Sequence, residues 1–170
     1  MAVAIAGVAT VSVWRVRAAQ RPHPGDTISL HGGRVTFRMP QGWRRLTCPG
    51  DTSSCVYLHP PGTGDDPAAI AVMIVTPTPP PASGPGTATA YAIDPATSPG
   101  GRSFTVDGTQ FARVRLDAVT TPPTRPATTV VTGHLDNGDI VYLTCAETAE
   151  PDLIRAGCEV VIGSLHVQQR

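Results

Sequence analysis

Four cysteines in two close pairs constrain this chain more than any other feature. Cys48 and Cys55 flank a loop of Pro, Gly, Asp and Ser in CPGDTSSC, and Cys145 and Cys158 bracket a turn and the start of a helical pattern. The number is even and no two are spaced as CxxC, so neither a redox dithiol nor a zinc site is indicated. Disulfides are the expected state. Four cysteines allow three connectivities, and pairing Cys48 with Cys55 and Cys145 with Cys158 is preferred because each pair closes a local loop. In the chain-entropy account the second loop contributes about 3 kcal/mol and the first somewhat less. Such bridges belong to an oxidising compartment. The alternative is a Cys/His metal site, but the five histidines are scattered and none stands at ligand spacing from a cysteine.

The N-terminus, MAVAIAGVATVSVWRVRAAQ, fits that compartment. Ala2 to Trp14 is an uncharged apolar run, long enough for the core of an export signal and short of the roughly 18 residues that span a bilayer. Its arginines, Arg15 and Arg17, follow the run where a signal would place them before it. Two readings stay open: a weak export signal cleaved near Val16-Arg17-Ala18, or a start internal to a longer gene. Residues 1–19 are therefore expected to be a signal or membrane-anchor segment, touching the membrane through residues 1–14 if retained. Residues 20–27 read as a linker and residues 28–168 as one domain, placed outside the cytoplasm, either secreted or anchored.

A chain of 170 residues has room for one core with tails. Its 18 prolines and 17 glycines mean that much of it is turn and loop. The formal net charge of +0 leaves no basic field to gather phosphates, which argues against nucleic acid as a partner. All 13 basic residues are arginine, so lysine Schiff bases, a P-loop lysine and a Ser–Lys dyad are excluded together. This lysine-free, Ala/Pro/Gly-rich composition resembles the coding bias of a high-GC actinobacterium.

Periodicity divides the rest. In RVTFRM, Val35, Phe37 and Met39 alternate with polar neighbours as in a half-buried strand that Pro40 and Gly42 end. CVYLH (Cys55–His59) is a short strand, and the continuously apolar AIAVMIV (Ala69–Val75) suits a central strand covered on both faces. Residues 77–101 have no period and many prolines, and are expected to form a loop of low order rather than a functional element. Asp107-Gly108 and Asn137-Gly138 each sit between strand-like runs and predict two hairpins. After Glu147, Ile154, Cys158, Val161 and Leu165 recur at helical spacing, with Pro151 and Asp152 suited to the first turn. Cys158 would then face the sheet at Cys145. The expected class is α+β, an antiparallel sheet packed against a C-terminal helix.

FRMPQGW (Phe37 to Trp43), the middle hairpin and the closing IGSLHV (Ile162 to Val167) resemble the PsbP-type fold of exported actinobacterial proteins. The resemblance covers Leu30 to Val167 loosely. It implies a sandwich of antiparallel sheet and helices, Trp43 packed under the sheet, and an accessory or binding role without catalysis. The Pro-rich stretch from Pro77 stands where that family usually has a helix, and no lipobox cysteine lies near the N-terminus. No binding residue is carried over.

Catalytic signatures such as GxSxG, HExxH and a complete GxGxxG are absent from the sequence. Asp136, Asn137 and Asp139 offer calcium-type oxygens, but the EF-hand order is missing and a hairpin turn wants the same residues. Asp65-Asp66 reads as a solvated turn. No cofactor is implied. The leading expectation is a non-catalytic extracytoplasmic domain that binds a cell-envelope protein or ligand. A hydrolase or metal-dependent enzyme is the alternative, and it requires at least two of His31, His59, His134, Asp65 and Asp136 to meet at one pocket. A structural, disulfide-stapled module on a membrane stalk is the third.

Overall fold

The computed structural model describes residues 22–50, 54–63, 69–77, 98–122, 124–148 and 150–169. The expected anchor or signal (1–19) and most of the Pro-rich stretch lie outside the described residues. Among the described residues, no helix is long and apolar enough to cross a membrane.

Among the described residues, ten strands and one long helix follow in chain order: β1 Pro24–Leu30, β2 Val35–Pro40, β3 Arg44–Thr47, β4 Cys55–His59, β5 Ile70–Val75, β6 Arg102–Val106, β7 Thr109–Leu116, β8 Thr128–His134, β9 Ile140–Ala146, α1 Pro151–Gly163 and β10 His166–Val167. They form a three-stranded sheet, β1-β2-β10, and a seven-stranded sheet, β3-β4-β5-β9-β8-β7-β6, antiparallel at every pairing. The α+β class holds in this form: mostly antiparallel sheet with a C-terminal helix.

The first strand corrects one boundary. Residues 24–27, expected as linker, belong to β1, where Pro24 pairs with Pro40 and Thr27 with Arg38. Proline is tolerated there because β1 is an edge strand and needs no inward N–H at that position.

Alternation along the strands sorts side chains to two faces of the large sheet. Val56, Ile70, Val72, Val131, Leu143 and Cys145 point to the core side, where they meet Ile154, Cys158 and Val161 of α1. Ile28, Leu30, Val35 and Phe37 of the small sheet close the same core. Both expected disulfides are present, Cys48–Cys55 with Cα atoms 5.7 Å apart and Cys145–Cys158 at 6.1 Å. The second ties α1 to β9 and the first staples the β3–β4 hairpin beside its short edge strand.

Strand β7 divides its side chains otherwise than its apolar alternation suggests. Phe111 enters the main core, whereas Arg113 and Arg115 share the helix-facing side, opposite Val131 and Thr129. They are accommodated because Arg113 forks onto Glu159 of α1 and Arg115 places Nε and Nη2 each 3.0 Å from the Glu147 carboxylate. The closing Ser164 fixes the end of α1: its hydroxyl donates to the Val160 carbonyl at 2.6 Å and accepts the Arg38 N–H at 2.8 Å.

Candidate functional site

The β1–β2 connection is short and conformationally unusual. His31, Gly32 and Gly33 form a 3-10 turn in which all three residues have positive φ, 52°, 66° and 90°. Glycine adopts this region freely, but a residue with a Cβ gives up about 1 kcal/mol to do so. The strain falls on His31, and its effect is to turn the imidazole toward the β8–β9 hairpin.

That hairpin turns where the sequence places it. The Gly138 N–H donates to the Leu135 carbonyl at 3.0 Å, Gly138 takes φ 87°, and the Leu135 N–H donates to the Asp139 carbonyl at 2.8 Å. Asn137 stiffens the turn, its Oδ1 accepting the Asp139 N–H at 3.1 Å and its Nδ2 donating to Asp139 Oδ2 at 2.5 Å.

Asp139 is the buried centre, 3% exposed. Thr76 Oγ1, just beyond β5, donates to its Oδ1 at 2.8 Å, and His31 Nε2 stands 3.4 Å from Oδ2. Burial pushes this carboxyl upward, but the hydrogen bonds from Thr76 and Asn137, with the charges of His31 and Arg34, outweigh it and hold the group below the usual carboxylate range. Arg34, largely buried, pairs through Nη2 with Asp136 Oδ1, while its Nε is buried with no hydrogen-bond partner among the described residues. His31, Gly32, Arg34, Asp136 and Asn137 together line an open concavity of about 420 Å³.

The geometric requirement set for an enzyme, two of the five named residues at one pocket, is met by one pair. His31 and Asp136 share this cavity; His59 is buried on β4, His134 is exposed at the end of β8, and Asp65 lies outside the described residues. Sequence reasoning named Asp136, Asn137 and Asp139 as a turn and missed Arg34 and Thr76. The available signal was HGGR itself, since two adjacent glycines before an arginine mark a backbone reversal that brings neighbours to a rim.

Chemically, the corner is a hydrogen-bonded cluster in which the carboxylates are occupied while Arg34 Nε has no partner among the described residues. Both carboxylate oxygens of Asp139 already accept donors, and Asp136 takes an arginine. Among the described residues, no group of three His, Cys, Asp or Glu side chains is arranged to hold a metal ion. A second polar clasp lies on the Asp107 turn, where Asp107 Oδ2 accepts the Val167 N–H at 2.9 Å and stands 3.2 Å from His166 Nδ1.

Fold and site together define a disulfide-stapled antiparallel α+β domain with a polar His–Arg–Asp concavity between its two sheets. Comparison with protein families, with curated proteins and with solved structures returns no match.

Proposed function

We propose that this chain is a non-catalytic extracytoplasmic domain, exported or membrane-anchored, that binds a cell-envelope protein or ligand at the concavity between His31 and Asn137. The observation that carries the reading is the left-handed His31. A non-glycine residue held in that region, with its ring placed against a buried carboxylate at a cavity rim, is the kind of strain that gathers at contact sites. The two disulfides support a non-cytoplasmic environment. The PsbP-type likeness is kept within this proposal, supported by FRMPQGW and by the Ser164 clasp at the closing IGSL.

The test is an amide-shift titration of the disulfide-intact domain with detergent-solubilised envelope from its native host. Shifts confined to residues 31–34 and 136–139 are expected. Shifts elsewhere with none at these residues would sink the assignment of the site.

A hydrolase reading is favoured by one observation, the buried Asp139 behind His31, which resembles a carboxylate orienting an imidazole base. A turnover screen in which Asp139→Asn abolishes the activity would favour it over binding.

A further inference from the structure

His31 is one of two non-glycine residues with positive φ among the described residues; the other is Asp107, at 47°. Asp107 and Gly108 are the central pair of the tight β6–β7 turn, closed by Val106 opposite Thr109, and such a turn requires left-handed backbone at both positions. Glycine would satisfy that requirement with less strain. What the aspartate adds is a carboxylate, and that carboxylate engages another element.

Asp107 Oδ2 accepts the Val167 N–H at 2.9 Å and stands 3.2 Å from His166 Nδ1. Gln169 Nε2 donates to Thr109 Oγ1 at 3.3 Å and lies over Gly108, 3.0 Å from where a Cβ would stand. The Val167 N–H is the chief reason that the Asp107 carboxyl lies below the ordinary carboxylate range; burial opposes it and His166 adds to it.

Strand β10 depends on such a clamp. It is two residues long and stands at the end of the small sheet, with Val167 opposite Val35 and His166 opposite Thr36 of β2. Successive N–H groups of a strand point to opposite edges. The Gln168 N–H points inward and donates to the Arg34 carbonyl at 2.8 Å, and the Val167 N–H points outward, where Asp107 receives it. A pairing this short frays readily by itself, so the outer bond steadies the strand that makes the inner one.

The inner bond falls on a residue of the rim. The Arg34 N–H donates to the His31 carbonyl at 3.3 Å, and the Arg34 carbonyl accepts from Gln168. The backbone of Arg34 is thus held between the two left-handed residues, directly by His31 and through β10 by Asp107. Its side chain is only 12% exposed, with Nη2 on Asp136 Oδ1 and a buried Nε. A guanidinium packed so closely follows its backbone, and a displaced Arg34 carbonyl is felt in the concavity.

We infer that Asp107 is a positioning residue for the concavity, acting through β10 on the backbone of Arg34. This rests on reading the concavity as the binding site, and it makes the β6–β7 turn part of what shapes that site.

The test reads the free, oxidised chain by NMR. Asp107→Gly keeps the turn, since glycine favours the left-handed region, and removes the carboxylate. Solvent exchange of the Gln168 amide is expected to rise about tenfold or more, and the Arg34 Nε–H resonance to shift, while exchange within the β1–β2 ladder stays as in wild type. Asp107→Asn retains an acceptor oxygen and tolerates the same backbone, so both readouts should stay near wild type. An Arg34 Nε–H unmoved by Asp107→Gly would overturn the inference, as would equal effects from the two variants. Gln168→Pro breaks the next link alone by removing the N–H donated to Arg34. It should move the Arg34 Nε–H as well; an unmoved resonance refutes the link, and this variant decides alone if Asp107→Gly fails to fold. Every readout is taken without ligand, so the positioning stands or falls separately from the binding reading, which the envelope titration decides.

Discussion

The indole of Trp43 lies directly on the backbone of Gly157: a Cβ added at Gly157 would stand 2.6 Å from Trp43 Cζ2 and 2.7 Å from Cη2. Trp43 leaves β2 through the Pro40–Gly42 turn and is 5% exposed, so the FRMPQGW stretch is anchored by a glycine more than a hundred residues away in α1. The helix accepts a poor helix former at its centre because only a residue without a side chain lets the ring approach.

Gly157→Ala is therefore expected to destabilise the domain. Overpacking costs about 1–3 kcal/mol, against a gain of about 1 kcal/mol in helix propensity. In a Trp43→Ala background the same change should become neutral or stabilising. Urea unfolding of the four proteins measures this coupling, and additive single effects would contradict the contact.

Removing the Cys145–Cys158 bridge by a double Cys→Ser change should lower stability by about 3 kcal/mol, since the chain it closes becomes free only in the unfolded state. Loss of Cys48–Cys55, which closes a shorter loop at the sheet edge, should cost less. Denaturant midpoints of the two variants, read with free thiols titrated, give the order.

Acid should weaken the rim through Asp139. Its folded pKa is depressed by donors from Thr76 and Asn137 and by the nearby positive charges, which outweigh burial. Its contribution is thus fully present above the ordinary carboxylate value of about 3.9 and is lost as pH falls through the lower folded value. Asp139→Asn should flatten the stability profile on the acid side of the ordinary carboxylate value relative to wild type. Parallel acid limbs for the two proteins would mean that Asp139 does not contribute.

At the β7–β8 pair, Phe111 covers Gly133 so closely that an added Cβ would lie 2.3 Å from the ring. Gly133→Val should displace Phe111 from its stack on Phe104, whose ring centroid is 5.6 Å away, at a cost of about 1–3 kcal/mol. An unchanged melting temperature together with unshifted Phe111 ring resonances would count against this packing.

Where local chemistry dominates, the residues were legible. Asp107-Gly108 reverses the chain with φ 47° and 84°, and Pro151 and Asp152 begin the helix as the termini rules require. The cysteine pairing was legible because each bridge closes a local loop. Strand β3 was not, since Arg44 to Thr47 carry no apolar alternation and extend only because β4 offers them a partner. The rim was half legible: the Asn137 turn announced itself, but nothing local links it to His31, Arg34 and Thr76.

The chain's own order of residues determined its covalent staples, its hairpins, the C-terminal helix and the absence of lysine chemistry, because each depends on neighbours within about a dozen positions. Tertiary structure alone decided that Trp43 needs Gly157, that β7 turns two arginines toward the helix, and that a strained histidine meets a buried aspartate more than a hundred residues along. Those relationships depend on how two sheets and a helix share one interior, and long-range packing of that kind leaves no period in the sequence to read.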